Sequence, residues 1–255
     1  MRLQSAMLIG HKWFNVPYAS GIFYTRSLEL LKSVFGPSPR YPPPAYLTPV
    51  HFSIPTEPST PTPDVVPSPL HTNLENSRRF IALPLFASLL SLGRRGYTEL
   101  VERNVRFARD IAAWMNEDER GRRWYEVLNF THNGKDGQRT VPLNVVLFRA
   151  RTGVAPAAYL HPSHGSALLC KAINTTRRMY TSPTVYQGVA AVRIAVSNWG
   201  TELLLDGEEV DDGGCKGDGN WDAQELKGMS DYKIVCRTLD MVMVDPPAFV
   251  REFRD

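Results

Sequence analysis

The alternation of apolar and polar positions predicts a chain of short strands and helices in its first third. Apolar runs at 5–9 and 21–25 predict two strands joined by a loop. Ser27, followed by apolar residues up to Val34, predicts a helix that ends before Gly36. Residues 37–69 hold twelve of the chain's twenty prolines, which removes amide donors and predicts an extended or disordered loop.

The rest of the chain predicts further helices and strands. The helices are expected at 76–92, 98–114, 165–174 and 232–244, with a break at 93–96 between the first two. The strands are expected at 124–130, 141–149, 178–182 and 189–197. Residues 206–222 are rich in Asp and Gly and predict a flexible insertion. This alternation favours a small α/β domain packed beside a larger one.

Composition limits the classes of function. The chain has 255 residues, 43% hydrophobic and 22% charged, with a net charge of +3, so nucleic-acid binding has little support. Its three cysteines, Cys170, Cys215 and Cys236, lack metal-ligand spacing and favour neither a metal site nor a secreted disulfide scaffold. No apolar run is long enough to span a bilayer. We therefore expect a cytosolic protein that does not associate with membranes.

Lys12 is the residue that most directly indicates chemistry. It lies in the loop between the first two predicted strands, with apolar segments on both sides. Burial between such segments would disfavour the ammonium form and leave a lone pair free to attack a carbonyl carbon. This is the chemistry of a Schiff-base lysine. The alternative that the local sequence leaves open is a surface lysine in a turn.

Five segments carry a family resemblance. Residues 11–18 read His-Lys-Trp-Phe-Asn-Val-Pro-Tyr and residues 77–80 read Ser-Arg-Arg-Phe, followed in order by matching segments at 96–103, 172–180 and 192–199. Together they resemble the group II pyridoxal-phosphate-dependent amino-acid decarboxylases, which act on aromatic amino acids, tyrosine or glutamate. The Ser-Arg-Arg-Phe segment argues against another pyridoxal-phosphate lyase of the same superfamily.

The resemblance implies a fold, a cofactor and three site residues. The fold is the α/β aspartate-aminotransferase type (fold type I), and the family works as a homodimer on small amino-acid substrates. By this resemblance Lys12 forms the Schiff base with pyridoxal 5'-phosphate, and His11 lies near the cofactor phosphate. Tyr46 corresponds to the loop tyrosine that protonates the substrate carbon after carbon dioxide leaves. No metal is expected.

Two departures from the family pattern lie beside the lysine. Ile9 replaces the usual Asp or Asn, and Ala19-Ser20 replaces the usual Asp-Cys pair, which puts the local hydrogen bonding in doubt. Trp13 favours the branch that acts on aromatic amino acids.

The resemblance also implies that the chain is a C-terminal portion, because the family places a long cofactor-binding region before the lysine. Its expected parts are a large-domain remnant (1–36), a Pro-rich loop (37–72) and linking helices (73–120). They are followed by a small α/β domain (121–205), a Gly/Asp-rich insertion (206–228), and a last helix with a tail (229–255). We expect unpaired strand edges and uncovered apolar faces near the lysine. Two functions remain open: decarboxylation, by the chain alone or joined by a complementary fragment, or a non-catalytic remnant that dimerises or binds a full-length paralogue.

Overall fold

The computed structural model describes residues 5–35, 79–132, 139–201 and 229–253. The chain forms two compact units, Met1–Ser91 (unit 1) and Leu92–Asp255 (unit 2). The Pro-rich segment at 37–69 and the insertion at 206–222 lie outside the described residues. In the described part of the chain, no helix is both long and apolar enough to cross a membrane.

Unit 1 contains the two strands and the helix that the sequence predicts at its start. Strand β1 (Ser5–Ile9) pairs antiparallel with β2 (Gly21–Thr25), and these two strands form a sheet of their own within the described residues. Helix α1 (Leu28–Phe35) follows, and the Ser27 side chain accepts the N–H of Leu30 at 3.1 Å. This hydroxyl satisfies one of the amide donors that every helix start leaves unpaired.

Helix α2 (Leu83–Glu117) replaces the two helices that the sequence predicts. Residues 79–82 are not helical, so the prediction of a start at 76 is wrong for them. Pro84 stands in the first turn, where the missing N–H costs no helical hydrogen bond. The predicted break is a kink at one residue, because Gly93 alone has non-helical angles (φ 56°, ψ −169°), a conformation that glycine adopts without strain.

The sheet of unit 2 has four antiparallel strands in the order β3-β6-β8-β7. They are β3 (Tyr125–Val127), β6 (Val145–Ala150), β7 (Ser182–Tyr186) and β8 (Val189–Ala195). A separate hairpin, β4 (Thr131–His132) with β5 (Arg139–Thr140), was not expected from the sequence.

Two side chains explain where the predicted strand bounds are wrong. Strand β3 ends early because the Asn129 side chain bonds the Val145 carbonyl and the Leu147 amide, both at 2.8 Å, in place of backbone pairing. Strand β7 starts late because the Asn174 side chain holds both the amide and the carbonyl of Thr181, at 2.7 and 3.0 Å. At both places an asparagine side chain bonds backbone groups, so the chain forms a connecting segment where periodicity alone predicts a strand.

The helices of unit 2 cover this sheet and share its core. They are α3 (Glu119–Trp124), α4 (Gly165–Thr175), α5 (Asp231–Val244) and the short α6 (Ala248–Arg251), with a 3-10 turn at Ala157–Leu160. Helices α4 and α5 match the sequence prediction, whereas α3 and α6 were not expected. The core includes fully buried side chains from α2, the sheet, α4 and α5: Ile111, Met115, Tyr125, Val146, Phe148, Leu169, Ile173, Val192 and Leu239.

Candidate functional site

The loop that carries Lys12 consists of two consecutive turns between β1 and β2. The Phe14 amide donates to the Gly10 carbonyl at 3.2 Å, closing a turn that contains His11, Lys12 and Trp13. The Ser20 amide donates to the Pro17 carbonyl at 3.1 Å and closes the second turn. The two ends of the loop meet where the Gly10 amide donates to the Ser20 carbonyl at 2.9 Å. We call residues 10–20 the lysine loop.

Close packing holds the base of the lysine loop. Gly10 is buried, and a Cβ atom placed there would lie 2.9 Å from Val16 Cγ2 and 3.1 Å from Ser20 Cβ. Between the two turns Asn15 adopts a left-handed conformation with φ of 50°, which asparagine tolerates better than most residues. The fold of the loop therefore requires a small residue at position 10 and favours asparagine at position 15.

The side chain of Lys12 is exposed. The expectation that apolar flanks bury this lysine is therefore wrong, because the flanking strands do not cover it. Met7 and Phe23 on those strands are themselves 75% and 56% exposed. The described residues around Lys12 therefore do not enclose it in a buried pocket of low dielectric.

His11 is paired with an aromatic ring that the sequence did not assign to the site. Its imidazole stacks on Tyr18, with ring centroids 4.1 Å apart and planes inclined by 24°. The Nδ1 atom of His11 is buried and has no hydrogen-bond partner within the described residues. An unsatisfied buried polar atom costs stability unless another group meets it.

Two serines attach the lysine loop to the region where α2 begins. The buried Ser20 donates its hydroxyl to the Ile81 carbonyl at 3.2 Å, and Ser88 donates to the Phe14 carbonyl at 3.3 Å. Sequence reasoning noted Ser20 only as a departure from a family pattern, and it did not identify Ser88. No local pattern could have paired Ser88 with a carbonyl 74 positions away.

The third expected site residue, Tyr46, lies outside the described residues. Within the described residues no group of three or more His, Cys, Asp or Glu side chains could hold a metal ion. The residues present at the lysine loop fit the aldehyde end of pyridoxal phosphate. They offer an exposed primary amine, and the neighbouring His11 has a buried Nδ1 atom with no hydrogen-bond partner among the described residues.

Unit 2 has a cleft in which two of the polar side chains already have partners. Its lining includes Arg149, His161 and Ser166. Arg149 pairs with Glu126 at 2.8 Å, and His161 Nδ1 accepts two backbone amides at 3.2 Å. The lysine loop is therefore the stronger candidate site.

Comparison with known proteins gives likenesses of fold. No protein-family model and no curated protein matches the chain. Oryza sativa TDC with PLP and tryptamine is 22% identical with a TM-score of 0.56, over 77% of this chain and 35% of that one. Catharanthus roseus tryptophan decarboxylase in complex with L-tryptophan is 21% identical with a TM-score of 0.52, over 76% and 34%. The chain thus spans about a third of the length of these proteins. Within that span it has the fold of the pyridoxal-phosphate-dependent decarboxylases of fold type I.

Proposed function

We propose that the chain supplies the lysine-bearing and C-terminal part of a pyridoxal-phosphate-dependent decarboxylase of L-amino acids. The observation that carries the proposal is the exposed Lys12 in the lysine loop, next to His11, in a chain with this decarboxylase fold. Tryptophan and tryptamine in the two similar structures favour an aromatic substrate. A homodimer in the cytosol is part of the same proposal.

The roles proposed for the chain's residues follow from the family resemblance together with their chemistry. Lys12 would hold pyridoxal phosphate through its amine, which must be neutral to bond to the aldehyde carbon. By the family resemblance, His11 would lie near the cofactor phosphate. Tyr46 would return a proton to the substrate carbon. When bound, the cofactor supplies the electron sink for loss of carbon dioxide, while the protein orients the substrate and moves protons.

A second candidate function is supported by the exposed apolar surface of unit 1. Unit 1 contains about a quarter of the described residues. It carries eleven of the eighteen large hydrophobic side chains that are exposed among the described residues. They include Phe23, Val34, Phe86 and Leu90, which are 56%, 66%, 55% and 69% exposed. Exposed apolar surface of this density is typical of a protein-protein interface. It favours a chain that binds a partner polypeptide, including a non-catalytic fragment bound to a full-length paralogue.

A fusion experiment separates the two functions. The chain would be produced alone and fused behind the part of Catharanthus roseus tryptophan decarboxylase that it does not match, and carbon dioxide release from L-tryptophan would be measured. We expect no activity from the chain alone, activity from the fusion, and loss of that activity in the fusion carrying Lys12→Ala.

The control is the fusion carrying Lys32→Ala, which removes an exposed lysine paired with Glu29 outside the lysine loop. It should remain active. A soluble, folded fusion that binds pyridoxal phosphate without releasing carbon dioxide would favour the non-catalytic function. Equal activity in the Lys12→Ala fusion would contradict the proposed role of Lys12.

A further inference from the structure

We infer that Ser20 and Ser88 are positioning residues that hold the lysine loop, and with it Lys12, against the start of α2. The inference rests on the proposed function of Lys12, and it concerns residues that neither the sequence pattern nor the fold comparison assigns to the site. Both hydroxyls donate to backbone carbonyls far away in the sequence, so each one ties two separate segments of unit 1 together.

Ser88 acts on the turn that contains Lys12. Its hydroxyl donates to the carbonyl of Phe14, and the amide of Phe14 is the donor that closes this turn onto Gly10. The peptide groups of Phe14 therefore serve both the turn and its attachment to α2. Loss of the Ser88 hydroxyl would remove this bond between the turn and the helix, so the turn would open more often.

Ser20 acts on the base of the same loop. Its carbonyl accepts the Gly10 amide at 2.9 Å, its amide donates to Pro17, and its hydroxyl donates to Ile81 just before α2. Ile81 and Ser88 are seven residues apart, so the two attachments lie at separate places along the start of the helix. One attachment alone would act as a hinge, whereas two fix the direction in which the loop presents Lys12.

Positioning matters here because Lys12 has a flexible stem and no described partner that aims its amine. The lysine side chain has four carbons, so the backbone of the loop sets the volume that the amine reaches. Both hydroxyl bonds, at 3.2 and 3.3 Å, are longer than the usual 2.7–2.8 Å, which places them at the weak end of the range for neutral hydrogen bonds. We therefore expect an effect of about threefold for each serine and about tenfold for both together.

The test uses the full chain and three single variants of α2. Ser88→Ala removes the attachment, and Ser88→Thr keeps a hydroxyl at the same position. Ser91→Ala is the matched control, because Ser91 lies on the same helix and donates to the carbonyl of Ala87 in its own helix at 2.9 Å. Ser20→Ala and the double alanine variant complete the set.

The main readout is reductive trapping of pyridoxal phosphate with borohydride, followed by peptide mapping. The amount of adduct at Lys12 is divided by the amount at Lys32, an exposed lysine of the same unit. This ratio corrects for differences between samples in the amount of cofactor trapped overall. We expect Ser88→Ala and Ser20→Ala each to lower this ratio about threefold and the double variant about tenfold, while Ser88→Thr restores it and Ser91→Ala leaves it unchanged. Ratios in both serine-to-alanine variants equal to that of Ser91→Ala would overturn the inference.

Hydrogen exchange of the Phe14 amide separates a failure of the inference from a failure of the proposed function. If the unmodified chain traps no more cofactor at Lys12 than at Lys32, the proposed function fails. The attachment is then tested by exchange alone. Faster exchange at Phe14 in Ser88→Ala, restored in Ser88→Thr, supports it, and unchanged exchange overturns it.

Discussion

Replacing Gly10 by alanine should loosen the lysine loop. The new Cβ atom would lie 2.9 Å from Val16 Cγ2 and 3.2 Å from the Ser20 carbonyl oxygen, whereas carbon atoms pack best at about 3.5–4.0 Å. Val16 and Ser20 are both buried, at 7% and 4% exposure, so neither can swing into solvent. The loop must widen at the Gly10-to-Ser20 hydrogen bond that closes it, and the turn hydrogen bonds donated by the Phe14 and Ser20 amides open with it.

The expected cost combines two opposing effects. Overpacking of this kind costs about 1–3 kcal/mol, and the reduced freedom of alanine in the unfolded chain offsets about 0.4–1 kcal/mol. We expect a net loss of about 1–2 kcal/mol in the free energy that keeps the loop closed. At about 1.4 kcal/mol per factor of ten, this is a roughly five- to thirtyfold rise in the open population.

Native-state hydrogen exchange at the amides of Phe14 and Ser20 measures this population directly. The control is Gly200→Ala with exchange read at Thr201, because the nearest atom to its added Cβ is 3.8 Å away. That substitution should leave exchange at Thr201 unchanged. Unaltered exchange at Phe14 and Ser20 in Gly10→Ala would refute the packing that we assign to the base of the loop.

Two further predictions concern unit 2. Burial raises the pKa of Tyr125, Tyr232 and Cys236, so the folded chain favours their protonated forms. The stability that they contribute is fully present below the pKa values of the unfolded chain, about 8.5 for Cys and 10 for Tyr, and it is lost as the pH rises above them. Above pH 9 the free energy of unfolding, measured in urea, should fall by up to about 1.4 kcal/mol per pH unit for each group, and a constant value from pH 8 to 11 would contradict this. Phe148→Ala should cost about 3–5 kcal/mol in urea unfolding, because this ring is fully buried and meets Tyr125 edge-on at 5.3 Å. Val185→Ala, at a site 70% exposed, should change stability by less than about 0.5 kcal/mol, and similar losses in both variants would show that the core is misassigned.

Elements with a clear apolar pattern could be predicted from the sequence. The bounds of β1 and β2 match the predicted strands, and α4 and α5 differ from theirs by one residue. Helix α3 could not be predicted, because it has no apolar period. It depends on the Asp118 side chain, which accepts two amides, and on Gly121, where a Cβ atom would lie 2.2 Å from the Trp114 carbonyl oxygen.

The candidate site was predicted in part. The sequence predicts that Lys12 and His11 lie in a loop between two strands, and the structure confirms this placement. It did not find the stacking of Tyr18 on His11 or the bond from Ser88, because these contacts depend on how the loop folds onto itself and onto α2. The predicted burial of Lys12 failed because apolar strands bury a loop only when their own side chains are covered.

The central claim is that Lys12 binds pyridoxal phosphate through its amine, and absorbance spectroscopy of the full chain tests it most directly. Pyridoxal phosphate added to the chain should give a band at longer wavelength than the free aldehyde. The band should be lost in Lys12→Ala and kept in Lys32→Ala, since Lys32 is an exposed lysine outside the loop. A band of equal size in Lys12→Ala would assign the signal to other lysines and contradict the account.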